Sequence, residues 1–180
     1  DPMVVNCTFI HNAAQYGGGM MNDQSSLAVA NCILWGNSGG ELYEVASASA
    51  VSYSNVAGGW PGVGNIDFDP EFIDPDGPDD VPGTLDDDLR LLDGSPCIDA
   101  ADNEAVPPDS VDLDGDDDTA EPIQLDHAGH PRFLDDAGIP DSGNGGPPVI
   151  DMGAHEFQGM TAAPLLVDAN AMGANDGTSW

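Results

Sequence analysis

A short apolar run that begins with Asn-Cys recurs in this chain at an interval of 25 residues. The first copy, residues 5–12, reads VNCTFIHN, and the second copy, residues 30–37, reads ANCILWGN. A weaker third copy, VSYSNV, occupies residues 51–56. One β-branched and apolar run in every 20 to 30 residues or so, with Gly and Asn at the corners, is typical of a solenoid. We therefore predict an all-β fold in which residues 1–64 form a right-handed parallel β-helix (β-solenoid) of about three coils.

The repeat also predicts a register between its copies. Parallel strands stack about 4.8 Å apart, which would place Asn6 above Asn31 and Cys7 above Cys32. A helix is the alternative, but neither copy has the i, i+3, i+4 apolar stripe of a helix, and both are bounded by turn residues. The glycines at 17–19 predict a tight corner before one more short strand.

The sequence becomes irregular and rich in Asp, Pro and Gly from Asn65 onward. We predict a loop-rich, acidic C-terminal cap over residues 65–158, laid across the open end of the coils, because an exposed solenoid end offers unpaired backbone groups to other strands. Residues 159–180 are predicted to form an extended C-terminal strand that resembles the start of a further solenoid. That order indicates a segment of a longer polypeptide.

The charge balance restricts the partners of this chain. Lys and Arg together number 2 against 33 Asp and Glu, which gives a formal net charge of −31. Such a field repels nucleic acid and anionic membrane surfaces, and no apolar stretch reaches the length needed for membrane insertion. Cations are the natural partners, so we expect the stability of the fold to depend on salt or Ca²⁺.

Alternating carboxylates at residues 112–118 form the best candidate metal site. Carboxylates on a Gly-containing loop can converge on Ca²⁺, which takes six to eight oxygen ligands, although the spacing does not fit an EF-hand. A second candidate starts at Asp74, and a solvated acidic loop is the alternative for both. The predicted ligands of the Ca²⁺ cofactor are Asp112, Asp114, Asp116, Asp118, Asp74 and Asp76.

Other chemistry is weakly supported by the sequence. His127 and His130 form an HxxH pair, with His155 further on, but a zinc site needs three or four converging ligands. A polysaccharide lyase needs a basic group beside its Ca²⁺ ligands, and the chain has no Lys. We expect its two arginines, Arg90 and Arg132, to pair with nearby Asp residues instead. No catalytic residue is predicted.

The motifs resemble those of a known class of protein. Gly-Gly-Gly, a hydrophobic residue and Asn, followed by a strand like Asn-Cys-Thr-Phe, is similar to the repeats of bacterial surface right-handed parallel β-helix proteins. The C-terminal part resembles the choice-of-anchor Q domain that closes such helices. The matching segments are 65–72, 89–91, 94–100, 112–115, 131–133 and 151–156. The resemblance implies the fold and a secreted or cell-surface (extracellular), bacterial location, and it carries no shared catalytic activity.

These observations predict a non-enzymatic structural or adhesive module, stabilised by Ca²⁺, whose partner could be a glycan or cell-surface matrix. The alternative is the closing segment of a secreted glycan-acting enzyme, a polysaccharide lyase or a glycoside hydrolase. A further hypothesis is self-assembly, in which a strand containing Leu165, Leu166 and Val167 adds to Val4 and Val5 of the next molecule. Such head-to-tail strand addition would produce a filament.

Overall fold

The structure of the protein is a computed structural model that describes residues 2–159. Its described part is all-β, with ten short strands, and the 3₁₀ turn Asn103–Ala105 is its one helical element. The strands are β1 (Met3–Val5), β2 (Thr8–Ile10), β3 (Met20–Asp23), β4 (Ala28–Ala30), β5 (Ile33–Trp35), β6 (Leu42–Val45), β7 (Ala50–Ser52), β8 (Asn55–Val56), β9 (Phe72–Asp74) and β10 (Asp88–Leu91). No helix among these residues is long and apolar enough to cross a membrane.

The first eight strands form three parallel stacks, in the orders β1-β4-β7, β2-β5-β8 and β3-β6. Val5 pairs with Ala30, and Thr8 pairs with Ile33. This register confirms the predicted offset of 25 residues, and it places the Asn-Cys pair of the first copy over that of the second. The third copy follows after a shorter step, since Ala30 pairs with Ser52. A solenoid-like arrangement of parallel strands is therefore present.

The recurring Asn occupies a corner that the backbone can turn only in a left-handed conformation. Asn6 has a φ of 53° and Asn31 a φ of 55°, between the first and second stacks. Asn tolerates this region better than most residues because its short amide can bond locally. Tyr53, with a φ of 43°, holds the same corner in the third copy. The Asn in the repeat is thus explained by backbone geometry.

Strand alternation divides the second stack into an inner and an outer column. Phe9, Leu34 and Val56 are in register and face a core that also contains strand residues from the other two stacks. Thr8, Ile33 and Asn55 form the neighbouring column, which faces away from that core. We call these three residues the outer column. Ile33 is fully buried although it faces outward, because the cap packs over it.

The cap covers one end of the stacks with only a few residues. Val56 donates its backbone N–H to the carbonyl of Ile66 at 3.0 Å, and Ile66 donates to Ser54 at 3.0 Å. The segment around Ile66 therefore lies along the edge of β8. Most of the following chain packs elsewhere, against the outer column, around a second core. That core includes Phe72, Leu91, Cys97, Ile98, Ile150 and Met152 together with Ile33.

Hydrogen bonds join the first and third residues of the outer column to different parts of the cap. The hydroxyl oxygen of Thr8 accepts the backbone N–H of Ala154 at 3.1 Å. Asn55 donates to the carbonyl of Phe68 at 2.8 Å and to the sulfur of Cys97 at 3.2 Å. These bonds fix most of the cap to the side of the stacks.

Candidate cation sites in the acidic cap

The predicted loop at 112–118 folds as a series of turns in which carboxylates accept nearby backbone N–H groups. Asp112, Asp114 and Asp116 each do so, over distances of 2.7 to 3.3 Å. These turns bring the three side chains together, so that each offers an oxygen within 4.8 Å of the others. Asp118 stands outside this group, and its Oδ1 accepts the N–H of Ala120 at 2.9 Å.

A second group of carboxylates shares Asp114 with the first and adds two residues that the sequence reasoning missed. Asp109, Asp114 and Glu121 also offer oxygens within 4.8 Å of one another. Asp109 is only 1% exposed, and its Oδ2 accepts the N–H of Leu113 at 2.7 Å, while its Oδ1 has no hydrogen-bond partner. In the sequence, Asp109 could have been identified as a candidate ligand because it lies only three residues before Asp112.

The spacing of the oxygens within each of these two groups fits Ca²⁺. Calcium binds oxygens at about 2.3–2.6 Å, so two ligands on opposite sides of the ion are roughly 5 Å apart. Oε1 of Glu121, like Oδ1 of Asp109, is buried without a hydrogen-bond partner. Burial, followed by the charges of Asp116 and Asp114, raises the pKa of Glu121. A cation would satisfy both unpartnered oxygens. We call Asp109, Asp112, Asp114, Asp116 and Glu121 the loop site.

The other predicted pair, Asp74 and Asp76, has less support. Burial and then the charges of Asp76, Asp80 and Asp88 raise the pKa of Asp74. In the described part of the chain, neither Asp74 nor Asp76 belongs to a group of three ligands at metal-binding distance. The structure therefore brings these acids near one another without forming a ligand set.

The histidines surround a buried aspartate. Oδ2 of Asp126 lies 3.8 Å from Nδ1 of His130 and 4.0 Å from Nδ1 of His155. The rings of His127 and His155 meet edge to face with centroids 5.4 Å apart. No ligand group within residues 2–159 includes a histidine. Asp126 also accepts three backbone N–H groups, which gives it a structural role in holding the cap loops.

The two arginines differ in their surroundings. Arg90 is exposed and donates through Nε to Oδ1 of Asp88 at 2.8 Å, which confirms the predicted pairing. Arg132 is buried and donates to the carbonyls of Leu125 and Ala154. Burial lowers its pKa, although the neighbouring carboxylates raise it in part. Arg132 therefore supplies a buried positive charge beside several acids, without a direct ion pair to any described residue.

Two of the acids near Arg132, Asp151 and Glu156, are buried in the interior of the cap. Asp151 accepts the backbone N–H of Asp99 at 2.8 Å and that of Phe157 at 2.6 Å. Glu156 accepts the N–H of Asp151 at 3.1 Å. Burial, reinforced by the charge of Asp99, raises the pKa of Asp151 to about 7, and burial, reinforced by the charge of Asp151, raises the pKa of Glu156 to about 10. Glu156 is therefore uncharged at neutral pH.

A cleft of about 670 Å³ separates the first copy of the repeat from the cap. Val5 and Phe9 line one side of it, and Leu89, Ile123 and Leu125 line the other. Within the described residues, no strand pairs with the outer edge of β1 or β2. The residues proposed from the sequence as the strand donor, 165–167, lie outside the described part of the chain.

Comparison of the chain with protein-family models, with curated proteins and with solved structures gave no match. The resemblance to surface β-helix proteins therefore rests on the sequence motifs alone.

Proposed function

We propose that this chain is a non-enzymatic, structural module of an extracellular bacterial β-solenoid that assembles with other copies by strand addition and is stabilised by Ca²⁺. The observation that carries the proposal is the open outer edge of β1 and β2 beside the apolar cleft. Such an edge is a template for another strand, and proteins that do not use one normally cover or charge it.

The three parallel stacks are, in this proposal, the faces of a right-handed β-helix. Strands β1 and β4 are parallel neighbours in one stack, and the chain leaves that stack and returns to it through the other two. Crossover connections between parallel strands are right-handed in about 98% of cases because of the twist of the strands. In such a helix the edge of β1 and β2 lies at one end, because these are the outermost strands of their stacks.

The hydrogen-bonding pattern of β1 defines what an incoming strand would meet. Asn6 donates its N–H to Ala30, and the carbonyl of Pro2 accepts from Ala28, so these residues point toward β4. Backbone groups alternate in direction along a strand, and those of Val5 therefore face outward. An added strand would pair with Val5 and bury apolar side chains in the cleft. Leu165, Leu166 and Val167 have the chemistry for that role.

The assembly proposal is tested by removing each side of the contact separately. We expect the full chain to form oligomers in light scattering, and deletion of residues 161–180 to leave monomers. Val5→Pro removes the outward donor without breaking the β1–β4 bonds, and it should also give monomers. Each variant must keep the circular dichroism spectrum of the full chain. A full chain that is monomeric at high concentration would rule out self-assembly.

The loop site supplies the calcium part of the proposal. A buried carboxylate without a hydrogen-bond donor is costly, and a bound cation removes that cost. With 33 acids against 2 basic residues, the protein itself offers few compensating charges. Bound Ca²⁺ would therefore hold the 109–121 segment in its observed form and stiffen the cap.

Calorimetry and melting curves test this part. We expect Ca²⁺ to raise the melting temperature and EGTA to lower it, and we expect Asp109→Asn to lose one equivalent of bound Ca²⁺. Asp117→Asn is the matched control, because Asp117 belongs to the same exposed loop but to no ligand group. Equal calcium binding by these two variants and the parent would show that the loop site is wrong.

A further inference from the structure

We propose that Asp99, Asp135 and Asp141 form a second Ca²⁺ site, separate from the loop site, that fastens the 135–142 segment to the interior of the cap. Each of the three residues offers a carboxylate oxygen within 4.8 Å of the other two. This site was not evident in the sequence, because Asp99 precedes its partners by more than thirty residues.

The strongest evidence is the state of Asp99. Its side chain is completely buried, at 0% exposure, and neither of its carboxylate oxygens has a hydrogen-bond partner. Native proteins almost always provide donors for a buried carboxylate, because an unpaired buried charge is very costly. The backbone N–H of Asp136 lies nearby, but it does not meet hydrogen-bond geometry with either oxygen and carries no full positive charge, so a cation would stabilise Asp99.

Neither arginine of the chain forms an ion pair with Asp99. Arg90 is paired with Asp88 on the surface, and Arg132 donates to two backbone carbonyls near Asp126. The other charged neighbours of Asp99 are acids. An ion is thus the available source of positive charge for Asp99.

The backbone of Asp99 fixes the position of its carboxylate. Its N–H donates to Oδ1 of Asp151 at 2.8 Å, and its carbonyl accepts from Ser142 at 2.9 Å and from Gly143 at 3.1 Å. The last two bonds bring the segment that carries Asp141 alongside. A fixed, buried first ligand with two exposed ligands is a suitable arrangement for a hard cation, whose remaining positions water and carbonyl oxygens would complete.

The charge state of the cluster agrees with this geometry. Burial raises the pKa of Asp99 to about 6; the nearby backbone N–H of Asp136 lowers it in part, and the charges of Asp135, Asp141 and Asp136 raise it further. At neutral pH the side chain is therefore ionised at a cost in stability, which a cation would remove. The competing explanation is a carboxylic acid that shares its proton with Asp135 or Asp141.

The experiment counts Ca²⁺ equivalents by isothermal titration calorimetry at pH 7.5, on the full chain first stripped with EGTA. We expect Asp99→Asn and Asp109→Asn each to lose one equivalent, and the double variant to lose both. Asp93→Asn is the control, because it removes the same charge from an exposed residue outside every ligand group. Asp141→Asn, at an exposed ligand, repeats the test without altering the interior.

The outcomes separate the two sites. If Asp99→Asn and Asp141→Asn keep every equivalent that the parent binds, the second site is wrong and Asp99 shares a proton instead. If they lose one equivalent while Asp109→Asn loses none, the second site stands and the loop site falls. If Asp99→Asn does not fold, Asp141→Asn decides alone: retention of all equivalents overturns the proposal, and loss of one supports it.

Discussion

Asn31 and Asp102 bond to each other in both directions. Nδ2 of Asn31 donates to the carbonyl of Asp102 at 2.9 Å, and the N–H of Asp102 donates to Oδ1 of Asn31 at 2.8 Å. The same Asn31 turns the left-handed corner of the second copy. One side chain thus meets the backbone requirement of the stack and pairs with the cap.

We predict that Asn31→Ala destabilises the protein by about 2–4 kcal/mol, because it strains the corner and leaves the N–H of Asp102 unpaired. Urea denaturation measures this change. Asn6→Ala is the control, since Asn6 holds the equivalent corner and its Oδ1 has no hydrogen-bond partner in the described structure. It should cost only about 1 kcal/mol. Equal losses in both variants would show that the bond to Asp102 contributes nothing.

Gly153 is where the cap lies closest to the outer column. A Cβ on this residue would lie 2.8 Å from Cδ1 of Ile33 and 2.9 Å from Oγ1 of Thr8, at a φ of 98°. We predict that Gly153→Ala costs about 2–4 kcal/mol, through strain and overpacking together. Gly146→Ala, where a Cβ would meet no atom within 4 Å, should change stability by less than about 0.5 kcal/mol. Thermal melting of both variants checks the difference.

Leu34 sits in the middle of the inner column and is 1% exposed. Its truncation to Ala leaves a cavity between Phe9 and Val56, so we expect a loss of about 2–5 kcal/mol in chemical denaturation. Leu85→Ala provides the matched control, because Leu85 is fully exposed. A small effect of Leu34→Ala would mean that the stack does not have the packed interior described here.

The buried acids of the cap predict how stability depends on pH when Ca²⁺ is absent. The folded-state pKa values of Asp151 and Glu156, about 7 and about 10, lie above their ordinary values. Their contribution to stability is therefore complete below about pH 4 and declines as the pH rises, by at most about 1.4 kcal/mol per pH unit for each group.

In EGTA, the melting temperature should accordingly be higher at pH 5 than at pH 8. Glu156→Gln keeps an acceptor for the N–H of Asp151 and removes the titrating group, so its melting temperature should vary less across this range. A variant that follows the same pH curve as the parent would exclude Glu156 as a source of the dependence.

The repeat carried most of the information about the stacks. The Asn-Cys pairs predicted the register of the first two copies because identical residues at equal intervals must meet when parallel strands stack. Strand β6 was not predicted. Leu42–Val45 has no residue identical to its partner in Met20–Asp23, and it follows that strand by 22 residues instead of 25. In this pair Met20 and Leu42 both pack into the core of the stacks, and a search for identical residues does not detect such a similarity.

The cap was harder to predict because its contacts join distant, irregular segments. The alternating acids at 112–118 pointed to part of the loop site, but Asp109 and Glu121 enter it only through the fold. Asp99 was known only as part of a motif, and its burial could not be inferred from neighbours in sequence. Packing of the cap against the side of the stack depends on Ile33, whose outward direction follows from the observed register.

The polar side chains beside the cap also fix the position at which the cap docks along the stack. A stack of similar copies has no unique position along its axis, so a cap that recognised only the repeat could dock one step too high or too low. Here Thr8 and Asn55 of the outer column, and Asn31 at the corner before Ile33, present polar groups at successive levels, and each meets a different partner in the cap. All three contacts can therefore form together only when the stack has the correct number of copies. Inserting one duplicated copy between Asn31 and Asn55 would move Asn55 away from the other two residues by about 4.8 Å, the distance between stacked strands.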